Sequence, residues 1–136
     1  MDVDIWSVSN GGKLIPLVLK NCPKLISLRC GADDEAGVQD SDLEDLRTIR
    51  TSLRKLFFTN NVVTDDSLRS ISDCMAGTLE EVNLSYNDNF TIDGIMDFIN
   101  ACQKLRAFEM EEPHHEDDDW GTIQSLMVER KTAAGL

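Results

Sequence analysis

The chain is short of positive charge: 13 Lys and Arg face 25 Asp and Glu, for a formal net charge of −12. Such a field repels phosphate backbones and anionic lipid headgroups, which argues against nucleic acid as a partner. No apolar run approaches the roughly 20 residues that span a bilayer. The opening MDVDIW is acidic where leader peptides are basic. A soluble cytoplasmic protein is expected, with the nucleus as the alternative compartment and no membrane insertion. Cys22, Cys30, Cys74 and Cys102 form no CxxC pair, so neither a zinc site nor a thioredoxin-type redox motif is signalled. Reduced, mostly buried thiols are the expectation.

Catalytic signatures are missing too. There is no GxSxG, no phosphate-gripping glycine loop and no HExxH. The two histidines, His114 and His115, are neighbours in EPHHEDDDW at 112–120. Adjacent histidines in a loop diverge unless the backbone folds them together, and no second cluster supplies further ligands. A solvated acidic loop is therefore expected there, without a metal. Carboxylates are plentiful but fall on polar loops, where nothing would shift them toward acid–base work. The expectation is a non-enzyme without a cofactor.

What the sequence does contain is self-similarity. LISLRC at 25–30, LRKLFF at 53–58, LEEVNL at 79–84 and LRAFEM at 105–110 all fit LxxLxL with conservative apolar replacements. Their first leucines, Leu25, Leu53, Leu79 and Leu105, are 28, 26 and 26 residues apart, inside the range of about 20–29 for leucine-rich repeats. Val3, Trp6 and Val8 suggest an earlier copy only 22 residues before Leu25. Asn61 and Asn87 follow their strands where the repeat pattern wants a turn-closing Asn or Cys; Asp33 and Pro113 depart from it. Between the strands the apolar period becomes helical: Leu43, Leu46 and Ile49; Leu68, Ile71 and Met75; Ile95, Phe98, Ile99 and Cys102. Thr64 with Asp65 and Asp66, and Thr91 with Asp93, carry the oxygens and negative charge that helix starts favour. Trp120, Ile123 and Met127 predict a terminal capping helix near 120–131.

VVTDDSLRSISDC and FTIDGIMDFINAC, each followed by a strand, resemble the ITDxGLxxLxxxC segment of the cysteine-containing leucine-rich repeats of F-box proteins. Cys22 and Cys102 lie three residues before their strand leucine, as in that subclass; Cys74 lies five before Leu79. The likeness covers roughly residues 12–113. It implies a ribonuclease-inhibitor-like α/β solenoid, with a curved parallel sheet of four or five short strands and helices on the convex side. The whole chain, 1–136, is expected to form one such domain, with strands near 3–8, 25–30, 53–58, 79–84 and 105–110. No F-box segment is recognisable, so membership of a ubiquitin ligase does not follow from the likeness.

Stacked parallel strands make equal repeat positions into cross-strand neighbours. One outward column reads Arg29, Phe57, Asn83, Glu109; another reads Ser27, Lys55, Glu81, Ala107. Aromatic and arginine side chains are common interface anchors, so Arg29, Lys55, Phe57, Glu81, Asn83 and Glu109 are the candidate partner-binding residues. The alternating charges have a structural explanation as register-fixing pairs, and Phe57 could instead fold over a strand edge. Charge is also sorted by edge. Asp33, Asp34, Glu35, Glu111, Glu112, Glu116 and Asp117 to Asp119 follow strands, whereas Lys20, Lys24, Arg47, Arg50, Arg54, Lys104 and Arg106 lie near helix ends and strand starts. The expected function is a non-catalytic protein–protein interaction scaffold with a concave, acidic-edged surface suited to a basic segment of a partner. Substrate recognition for a ubiquitin ligase, or an architectural subunit of a larger complex, are the open alternatives.

Overall fold

A computed structural model describes residues 2–6, 14–31, 39–59, 63–85, 89–110, 121 and 123–129. The acidic residues at 33–35 and 111–119, both histidines, Asn61, Asn87 and Trp120 lie outside them. The architecture is α/β. Strands β1 (Asp2–Trp6), β2 (Ser27–Gly31), β3 (Lys55–Thr59), β4 (Glu81–Asn83) and β5 (Ala107–Glu109) form one parallel sheet in sequential order. Helical segments connect them: α1 (Leu14–Asn21), α2 (Asp40–Leu43) running into a 3₁₀ turn at Glu44–Thr48, α3 (Asp65–Met75) and α4 (Ile92–Ala101). Each strand bonds only to those of the adjacent repeats, and α1, α2, α3 and α4 pack in the same sequence.

The leucine template explains the core. Leu25, Leu53, Leu79 and Leu105 are all essentially buried, as are Leu28, Leu56 and Val82 three positions on. From the other side come Ile15 and Leu19 of α1, Leu43 and Leu46, Leu68 and Ile71 of α3, and Ile95, Phe98 and Ile99 of α4. Inward strand side chains and helix side chains meet around a void of about 10 Å³ bounded by Leu28, Leu56, Ile71 and Met75 among others. That is room for one water at most, so the layers are close-packed. Residues 123–129 are helical, with Ile123 and Met127 buried.

Three details differ from what the repeat pattern predicts. First, β1 pairs so that Val3 lies beside Leu28 and Ile5 beside Cys30, not Trp6 beside Leu28. The first repeat is thus 25 residues long rather than 22, which brings its length into line with the others. Second, the helix expected over Leu43–Ile49 is a single α-turn that tightens to 3₁₀ at Glu44. Third, Cys74 does not take the place held by Cys22 and Cys102. The carbonyls of Cys22 and Cys102 accept the amides of Leu25 and Leu105, but in the third repeat the Met75 carbonyl accepts both Thr78 and Leu79. Met75 fills the core position, while Cys74, half-buried, donates its thiol to the Ile49 carbonyl of the preceding repeat at 3.2 Å.

The repeats are also tied at their helix starts, by contacts that reach one period along the chain. Asp40, first residue of α2, accepts the Thr64 amide and hydroxyl (2.8 Å each) and the Ser67 hydroxyl (2.5 Å). Asp65, first residue of α3, repeats this with the Thr91 amide (3.0 Å) and hydroxyl (2.5 Å). Each threonine oxygen in turn accepts an amide of its own helix, from Asp66 and Gly94 respectively. One carboxylate therefore serves two helix N-termini, where orphan amides and the macrodipole both favour negative charge. Gly94 is the residue that allows the closer approach: a side-chain carbon there would overlap the Asp65 carboxylate.

Candidate functional site

Side chains alternate along a strand, so with Leu28, Leu56 and Val82 turned into the core, the residues flanking them face away from the helices. The register makes two columns of these. Ser27, Lys55, Glu81 and Ala107 are one, and Arg29, Phe57, Asn83 and Glu109 the other. All six candidate residues thus share one strand face. Lys55, Phe57, Glu81 and Asn83 are partly exposed; Arg29 and Glu109 are exposed.

Just before β3, β4 and β5 the pairing is bulge-like. The Ile26 carbonyl accepts the amides of both Arg54 and Lys55, that of Arg54 accepts Glu80 and Glu81, and that of Glu80 accepts Arg106 and Ala107. Two residues opposing one break the alternation, and the residues at 54, 80 and 106 join the charged group at the strand starts. A continuous chain of ion pairs results: Arg54 to Glu80 (3.4 Å), Glu80 to Arg106 (3.8 Å), Arg106 to Glu81 (3.5 Å) and Glu81 to Lys55 (3.6 Å). All these side chains are a third to two-thirds exposed, so each pair contributes about 0.2–1 kcal/mol at most. Lys55 and Glu81 are already matched to each other, and their sign alternation is accounted for by strand register.

The second column is organised differently. The Arg29 guanidinium lies over the Phe57 ring, 4.5 Å from its centroid, a cation–π contact worth about 0.5–1 kcal/mol where it is exposed. Phe57 is therefore seated beneath a cation supplied by the neighbouring strand β2. Asn83 donates its amide to the Glu109 carboxylate at 3.1 Å, and its oxygen accepts the Ser85 amide at 2.9 Å. Asn83 thereby turns the chain out of β4 while presenting Glu109. Across β2 to β5, Arg29, Arg54, Lys55 and Arg106 oppose Glu80, Glu81 and Glu109. A nearly neutral strip thus sits in a chain of charge −12.

Elsewhere, burial pushes the Asp40 carboxyl up, but the hydrogen bonds from Ser67 and Thr64 outweigh it and hold the group below the ordinary 3.8. Burial pushes the Cys74 thiol up to about 11, which suits a structural thiol and not a nucleophile. No group of His, Cys, Asp and Glu among the described residues could hold a metal ion. No described helix is long and apolar enough to cross a membrane. Sequence reasoning missed the Asp40 and Asp65 bridges. Their partners Thr64 and Thr91 lie 24 and 26 residues on, and that near-period spacing was the available signal.

The chain is 23% identical over 110 residues, or 81% of its length, to coronatine-insensitive protein 1 of Arabidopsis thaliana, an F-box leucine-rich-repeat protein. It spans 19% of that protein's length. No protein-family model matches the chain. The likeness and the sequential parallel sheet with a helical segment in each repeat both fit a leucine-rich-repeat type of fold.

Proposed function

We propose that this chain is a leucine-rich-repeat solenoid domain that binds a protein partner on its concave strand face and carries out no catalysis. The observation that supports this reading most is the Arg29–Phe57 stack, an aromatic ring left partly open on the face away from the core. Burying that ring in a solvent-facing position brings the fold little, because Leu28 and Leu56 already fill the interior beneath it. Ring and guanidinium together form a rigid, amphipathic anchor of the kind on which interface energy concentrates. Asn83 and Glu109 extend the anchor by two strands, and Lys55 and Glu81 border it. The acidic excess of the chain, a net charge of −12, would favour a basic segment on the partner. The likeness to a leucine-rich-repeat protein supports protein recognition in general.

The test pairs two neighbouring substitutions. Partners are captured with the full chain from its native cell, identified by mass spectrometry, and the affinity for the recovered partner is measured. Phe57→Ala and Glu109→Ala should each lower the melting temperature by no more than about 5 °C while weakening binding, by roughly 30-fold for Phe57→Ala. Leu56→Ala, one position away but 2% exposed, should instead cost about 2–5 kcal/mol of stability. Full-strength binding by Phe57→Ala, or its unfolding, would remove the basis for the reading.

A further inference from the structure

On the opposite, helical side, α1 and the 3₁₀ turn that follows α2 leave a groove of about 470 Å³ between them. Its apolar lining is Pro16, Leu17 and Ile49, and its charged lining is Lys20, Asp45 and Arg50. The amphipathic pattern of α1 explains only half of this. Ile15 and Leu19 turn into the core, 3% and 0% exposed, whereas Leu17 between them is 55% exposed. A large apolar side chain on the open face of a helix, bordering a concavity with Pro16 and Ile49, contributes nothing to the fold that a polar residue would not.

The charges point the same way. Lys20 lies in the last turn of α1 and Arg50 directly follows the C-cap Ile49 of the 3₁₀ turn, both places where a cation suits a helix C-terminus. Among the described residues neither has an ion-pair partner, in contrast to Arg47, Arg54, Lys55, Arg69 and Arg106. Two unmatched cations against Asp45 give the groove a local positive balance within a chain of charge −12.

We propose that this groove docks an acidic linear segment of a partner protein, which sets one apolar side chain against Leu17 and Ile49 and a following carboxylate between Lys20 and Arg50. The volume matches a few residues. A duplex, by contrast, would extend over the acidic remainder of the surface and be repelled. At about 0.15 M salt the Debye length is about 8 Å, so a short segment seated in the groove feels its two cations more than charges beyond that range. A second copy of the chain would bring a further charge of −12 against the first and is disfavoured at close range. This site is separate from the strand face and does not depend on what that face binds.

The test uses the full chain and an array of ten-residue peptides, in which an anchor position (Leu or Ser) and a pair two residues on (Glu-Asp, Gln-Asn or Lys-Arg) are varied independently. Affinities are read by fluorescence anisotropy at 0.15 M NaCl. Only peptides with both leucine and the acidic pair should bind, and Leu17→Ser and the double variant Lys20→Glu/Arg50→Glu should each weaken them about tenfold. Phe57→Ala should leave these affinities unchanged, which separates this site from the strand face. All the substituted residues are exposed or partly exposed, and circular dichroism verifies folding. The proposal is overturned if no peptide in the array binds or if the basic pair is preferred. It is equally overturned if the charge-reversed chain binds as wild type, or if sedimentation shows self-association that Leu17→Ser dissolves.

Discussion

Replacing Asp40 by alanine removes three hydrogen bonds that join two repeats, and their worth follows from where the donors sit. A hydrogen bond to a charged group is worth about 1.5–3 kcal/mol when buried. Asp40 is only partly buried, so the two bonds from Thr64 are discounted to about 1 kcal/mol or less each. Ser67, however, is 1% exposed, and its hydroxyl would lose its acceptor in a dry place, at about 1 kcal/mol or more. A total of about 3 kcal/mol follows, or roughly 10 °C in melting temperature for a chain of this size. Urea denaturation of Asp40→Ala, Thr64→Val and the double variant measures it. The cycle should show about 1 kcal/mol of non-additivity, since each change removes the other's partner. Asp73→Ala provides the contrast: its 3.1 Å pair with Arg47 is more than half exposed on both sides and should be worth under about 0.5 kcal/mol. The pH dependence has a definite sign. The folded carboxyl of Asp40 sits below its unfolded 3.8. Its contribution is therefore complete above that value and lost as pH falls through the lower, folded pKa. The gap between wild type and Asp40→Ala should hold steady from neutral pH to about pH 5 and narrow below about pH 4, by the part of the contribution that depends on the charge. A cost no larger than that of Asp73→Ala, or a gap that widens on acidification, would refute the bridge as a stabilising contact.

Gly94→Ala sets two effects against each other. Helix propensity favours alanine by about 1 kcal/mol, but the added methyl would push the Asp65 carboxylate aside and break its two bonds from Thr91, so thermal melts should show net destabilisation. A more stable variant would mean that Asp65 does not seat there. Native-state alkylation of Cys74, followed across pH by peptide mass spectrometry, should accelerate only toward pH 11, because burial raises the thiol. Half-maximal reactivity near pH 9, the ordinary value for a thiol, would contradict its burial.

Much of this molecule is legible one repeat at a time. The LxxLxL segments name the buried leucines, the shift to a helical period locates the connecting helices, and Thr64 and Thr91 mark helix starts because a side-chain oxygen can satisfy amides only two or three residues away. Those signals are local or periodic, so the order of residues carries them. What passes between repeats is of another kind. The strand register places Val3 beside Leu28, although Trp6 fits the template equally well on paper. Which cation meets Glu80 or Glu81 depends on the bulge-like pairing at the strand starts. That Asp40 and Asp65 serve the following helix, that Met75 and not Cys74 enters the core, and that Leu17 is left open above Ile49 all depend on how adjacent turns stack. Stacking is decided by the packing of whole layers, and spacing within one repeat says nothing of which neighbouring atoms the next repeat brings within reach.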